Sequence, residues 1–208
     1  MKKYTLLSLL VVALLFEGCA KIYYTPDSRS LAQSHQIIAI APPTVSIAAS
    51  KNITADAMIE QQKTESINFQ REMYSWLLKR KMQGKISVEI QDVNITNAKL
   101  AEAGFVNTQL LAPTEMCEIL GVDAVMTSNY TLTKPMSTGA AVAMYVLAGF
   151  AGPTNQTGVD LAVHDYKTNK MIFDFNHKLG STFGSAAGLV DELMRQASKK
   201  LPYYQNSY

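Results

Sequence analysis

The chain has 208 residues, 48% of them hydrophobic, with 19 basic and 17 acidic side chains for a formal net charge of +2. That length suits one domain with a real core, and a near-neutral balance without any basic run excludes the electrostatic footprint of a nucleic-acid binder. In chain order, Lys2 and Lys3 precede the uncharged run Leu6 to Phe16, which leads into Glu17-Gly18-Cys19. A short positive region, an apolar stretch and a small residue at the cut site make a secretory signal. The run is well short of the roughly 20 residues that cross a bilayer, so it is predicted to be removed.

The end of this segment resembles the lipobox of bacterial lipoproteins, in which a small residue stands before the cysteine that becomes the acylated N-terminus. Gly18 and Cys19 fit, while Phe16 and Glu17 stand where Leu and a small or polar residue are usual. The resemblance implies a signal peptide over 1–18 and a diacylated Cys19, palmitate being a typical chain. Removal of 1–18 leaves 190 residues with 17 basic and 16 acidic side chains. Residues 19–34 are expected to form the lipidated cysteine and a polar tether that keeps the domain off the membrane. Cys117, the other cysteine, then has no partner within the chain, which excludes a disulfide scaffold.

The domain is expected over 35–202, with 203–208 as a tail. His35 to Ala41 is a compact apolar run stopped by Pro42-Pro43, a first strand. From Thr54 to Met82 apolar residues recur near helical spacing, which predicts a long helix with a possible break at Lys63-Thr64. Ile86 to Ile90 alternates as a second strand, and 96–104 gives a short helix closed by glycine. Pro113 to Gly121 carries Pro at a helix start and Gly past its end, with Cys117 as a buried thiol. Gly121 to Thr133 reads as a third strand, and 158–166 with 171–179 as a hairpin turned at Asn169. The last helix carries the stripe Ala186, Val190, Leu193 and Ala197 and stops at Pro202. The order β-α-β-α-α-β-β-β-α indicates a single-domain α/β sandwich with a mixed sheet.

Gly121-Val-Asp-Ala-Val125, the Asp165-x-x-Thr168 hairpin and the closing helix together resemble bacterial envelope lipoproteins with a TolB N-terminal-like domain. That group includes the curli-assembly lipoprotein CsgG and the penicillin-binding-protein activator LpoB. Asn169 stands where the family usually has Gly. The resemblance covers about 35–201 and implies a non-enzymatic, membrane-anchored protein of the envelope, on the outer membrane and facing the periplasm. It also implies an alternative, an oligomeric CsgG-like channel component.

The stretch 135–158 departs from the pattern as an apolar insertion. No charge occurs from Pro135 to Val159, and Gly139 to Gly152 is apolar throughout. It is expected to be a buried helix, a contact surface for a partner or protomer, or a membrane-inserted segment. Val142, Tyr145, Val146, Leu147 and Phe150 are the candidate interface residues. Catalytic motifs are not found: there is no phosphate loop, no zinc spacing and no nucleophile elbow. His35, His164 and His177 are scattered, although His164 and His177 could meet across the hairpin as a surface pair. No enzyme activity, metal or cofactor is predicted. The expected partners are a membrane, through Cys19, and an unidentified envelope protein, with a homo-oligomer as an option.

Overall fold

A computed structural model describes residues 20–48, 54–105, 111–135, 137–149, 151–182 and 184–205. In chain order its elements are β1 (Lys21–Tyr24), α1 (Ser28–Ser34), β2 (Ile37–Ile40), β3 (Thr44–Ile47), α2 (Ala55–Met82), β4 (Glu89–Ile90) and α3 (Val93–Glu102). Then come α4 (Pro113–Leu120), β5 (Ala124–Thr133), α5 (Thr138–Ala148), β6 (Asn155–Asp165), β7 (Lys170–Ser181) and α6 (Ala186–Ala197). The strands form one mixed sheet in the order β1-β7-β6-β5-β2-β4, with β3 also on β5. β2 and β3 run parallel to β5, while β1, β7, β6 and β5 pair antiparallel. This is the mixed α/β architecture that the element order indicates.

Inward-facing residues alternate along the strands, and helices cover them. On one face α2 and α6 bury Phe69, Met73, Leu77, Val190 and Leu193 against Tyr130, Leu161 and Phe173. On the other face, α3 and α4 cover chiefly β2 and β5, through Leu100, Met116, Cys117 and Leu120 against Ala39 and Val125, and α4 also reaches β6. Full burial of one such side chain contributes about 1.5–3 kcal/mol. Helix α2 runs unbroken from Ala55 to Met82, without an interruption at Lys63-Thr64, and its buried stripe Ser66, Phe69, Gln70, Met73, Leu77 and Arg80 keeps helical spacing from its fourth turn onward. Asn169 adopts φ 54° at the hairpin turn and Gly121 φ 66° after α4, both left-handed positions that these residue types tolerate.

Three sequence boundaries need correction. Residues 21–34 are not a free tether: β1 is the edge strand on β7, where Ile22 packs into the core opposite Phe175, and α1 follows with Ala32 buried. A four-residue edge strand that turns only Ile22 and the half-exposed Tyr24 inward has too little hydropathy to stand out from a linker. The first strand does end before Pro42-Pro43, but a strand not expected from the sequence follows at once. The prolines only interrupt the ladder, and Thr44–Ile47 resumes pairing with Asn129–Leu132 of β5. Finally, the tail read at 203–208 begins inside the domain, since Tyr203 is buried and the Gln205 N–H donates to the Lys85 carbonyl at 2.8 Å.

Candidate functional site

Helix α5 leaves the sheet after β5 and returns into β6. It starts because Ser137 is an extended N-cap whose Oγ accepts from the Ala140 N–H at 3.2 Å, and it ends at Gly149 in the left-handed region. Its return is fastened at the base. The Thr154 hydroxyl donates to the Thr182 carbonyl at 2.7 Å, and Asn155 Nδ2 to the Gly184 carbonyl at 2.8 Å. No other element covers the helix along its length, and Ala141 is its one buried residue. Val142 is 48% exposed, Tyr145 56%, Val146 76% and Leu147 87%. The buried-helix expectation is therefore wrong within a single copy of the chain: the sheet end offers no facing apolar layer, because both core clusters are already closed by the other helices. Phe150 lies outside the described residues, as does Cys19.

The strand registers place this helix relative to the N-terminus. Thr133 pairs with Gln156, and Asn155 with Ser181, so β5, β6 and β7 share the end from which α5 projects. β1 pairs with β7 from Lys21 opposite Asn176 to Tyr24 opposite Phe173. Followed backwards from Lys21, the chain thus comes from the same end of the sheet as α5. No described helix is long and apolar enough to cross a membrane.

Beside α5, the face of β1, β7 and β6 that α3 and α4 leave uncovered is polar. Lys21, Tyr23, Asn176, Lys178 and Asp160 are exposed there, with Asn176 donating to Asp160. Burial, and then the neighbouring Asp160 carboxylate, raise the Asp174 carboxyl above its usual value on the same face.

The most connected polar cluster lies at the opposite end. His35 Nε2 meets Asp165 Oδ1 at 2.7 Å, and Nδ1 meets the Tyr203 hydroxyl at 2.7 Å, all three residues buried. Asp165 Oδ2 accepts from the Thr168 N–H at 2.6 Å and hydroxyl at 2.5 Å. An ionised carboxylate only accepts, so Nε2 is the donor, and a neutral ring then takes the Tyr203 proton at Nδ1. Burial, followed by the Asp165 carboxylate, pushes the Tyr203 phenol upward. Cys117 is in the same neighbourhood. Burial, then Asp165 and Asp123, push its thiol up to about 12. A thiol so raised is a poor nucleophile, so iodoacetamide should leave native Cys117 unmodified at pH 8 and alkylate it once the chain is unfolded in denaturant. Rapid labelling of the folded protein, read by mass, would contradict that assignment.

The sequence quoted Asp165 and Thr168 as hairpin residues but missed their link to His35 and Tyr203. Only the i to i+3 spacing of Asp165 and Thr168 signalled an Asx-type turn. His164 and His177 do not meet: His164 stands opposite Met171, whereas His177 stands opposite Val159 with its side chain on the helix-covered face. The two rings lie on opposite faces of the sheet. Asp123, read as a cap at a sheet end, holds the entry to β2 by accepting from the Gln36 and Ile37 N–H groups at 2.7 and 3.0 Å. Among the described residues, no three of His, Cys, Asp and Glu converge as a metal site would require.

No family model matches the chain, and no curated protein matches it. Among solved structures it is similar to a PelC dodecamer from Paraburkholderia phytofirmans, at 9% identity and a TM-score of 0.46 over 90% of this chain and 99% of that one. It is similar also to the lipoprotein GNA1162 from Neisseria meningitidis, at 13% identity and a TM-score of 0.45 over 79% of this chain and 96% of that one. The C-terminal domain of LpoB from Salmonella enterica follows, at 9% identity and a TM-score of 0.35 over 74% and 96%. With identities and TM-scores this low, the likeness is one of general outline.

Proposed function

We propose that the chain is a lipid-anchored, non-enzymatic protein of the bacterial cell envelope, on the outer membrane and facing the periplasm, that works as a protein-binding or assembly module. The observation that carries this reading is the place of β1. An edge strand of the folded sheet begins two residues after Cys19, so a diacyl group on that cysteine would be coupled to the domain with almost no slack. Such coupling fixes orientation as well as location. It leaves the polar face bearing Lys21, Tyr23, Asp160, Asn176 and Lys178 standing free for a protein partner, while Val142, Tyr145, Val146 and Leu147 form the apolar contact surface.

Cys19→Ala tests the anchor. Two acyl chains hold a protein on a bilayer where one gives marginal binding, so the substitution is expected to move most of the protein from the membrane fraction to the soluble periplasmic fraction. If mass spectrometry of the membrane-extracted wild type finds no diacyl group on Cys19, the lipid-anchor reading is wrong.

A further inference from the structure

We infer that α5 is a second membrane anchor, a helix that dips its exposed apolar side chains into the leaflet holding the acyl chains of Cys19. The inference rests on the lipid-anchor reading and adds to it the role of residues 138–148.

Three observations choose lipid over a protein partner. The first is the distribution of exposure around the helix axis. Val142, Ala143, Tyr145, Val146, Leu147 and Ala148 are all exposed, and at 100° per residue these six positions point to every side. A protein surface covers one stripe of a helix and leaves a polar rim, whereas a helix that is apolar all round belongs in a core or a membrane. The two core clusters are closed without α5, which leaves the membrane. The second observation is length. Eleven residues rise about 16 Å, close to half of the roughly 30 Å hydrocarbon core, so the helix fits one leaflet and cannot cross two.

The third observation is position. The chain enters β1 from the sheet end at which α5 emerges, and Cys19 precedes Lys21 by two residues, at most about 7 Å of extended chain. Acyl chains on Cys19 and the side chains of α5 would therefore meet the same surface. Lys134, exposed at the base of α5, is the last charge before the uncharged segment, a position that suits an anionic headgroup. Tyr145 suits the polar margin of a bilayer. The charged first turns of α2, with Asp56, Glu60 and Lys63 exposed, begin near the same end and would stay at headgroup level, so that α5 alone enters the hydrocarbon.

The test uses the full lipidated chain in vesicles of phosphatidylethanolamine and phosphatidylglycerol, with an environment-sensitive dye on Leu147→Cys and, in a second sample, on Met82→Cys. Met82 is 89% exposed and ends α2 just before β4, at the opposite end of the sheet, so both substitutions lie outside the core. The expected result is blue-shifted emission at 147 that brominated phospholipids quench and aqueous iodide does not, with the reverse at 82. A dye at 147 that iodide quenches, on protein that floats with the vesicles, overturns the α5 inference and leaves the lipid anchor standing. Shielding at 147 from both quenchers also overturns it, because protein then covers the helix. Protein that does not float with vesicles overturns both readings.

Discussion

Replacing Asp165 with Ala is expected to lower stability by about 3 kcal/mol and the thermal midpoint by roughly 6–12 °C. The carboxylate is 2% exposed and accepts from three donors, the His35 ring and the N–H and hydroxyl of Thr168. Alanine leaves the buried His35 ring without its acceptor, whereas the Thr168 donors, on an exposed residue of the turn, can pass to water. The loss reaches across the fold, because His35 enters β2, Thr168 turns the β6–β7 hairpin and Tyr203 closes the chain. The same group makes part of the stability acid-sensitive. Burial alone would raise its pKa, but the Thr168 hydroxyl, His35 and the Thr168 N–H together outweigh burial and hold it below the ordinary 3.8. Its folded pKa is thus depressed, so its contribution is complete above that ordinary value and fades as pH falls through the folded one. Thermal unfolding followed by circular dichroism should show a wide gap between wild type and Asp165→Ala at pH 7 that narrows below about pH 4. A gap that stays constant into acid would mean that the carboxylate's charge is not what the cluster depends on.

What the sequence made legible followed the strength of periodic signals. The α2 stripe, the Pro113 to Gly121 helix and the Asn169 turn each announce themselves through spacing or through a residue with one conformational use, and the structure places them near where they were expected. Strand β1 was illegible because it has only four residues, of which Ile22 and the half-exposed Tyr24 turn to the core face, and edge strands show their pairing in space rather than in hydropathy. The His35–Asp165–Tyr203 cluster joins residues 130 and 168 positions apart, a distance at which no local pattern operates. The apolar run at 139–152 was plain, but its surroundings were not. Composition cannot tell a core helix from an exposed one, and that distinction needed the packing of α2, α3, α4 and α6 to be known first.

Phe173→Ala is expected to cost about 3–5 kcal/mol, or roughly 6–20 °C in the thermal midpoint, and to loosen β1 more than any other strand. Phe173 is 1% exposed near the start of β7, where its ring stands 5.3 Å from that of Tyr24. Truncation therefore opens a cavity in the main core and removes the ring against which β1 rests. β1 has little else to hold it: four residues of ladder, Ile22 in the core, and the Tyr24 hydroxyl donating to the Lys200 carbonyl at 2.5 Å. Phe173→Leu, which keeps most of the volume, should cost about 1.5 kcal/mol or less. Amide exchange distinguishes local loosening from general destabilisation, since the central β5–β6 ladder reports the whole fold and residues 21–24 report the edge. If the alanine variant exchanges at 21–24 no faster relative to β6 than the leucine variant does, β1 is held by its ladder alone. If it exchanges selectively faster, the edge strand that follows the proposed acylation site depends on one aromatic contact, and a core substitution would loosen the coupling between that site and the domain.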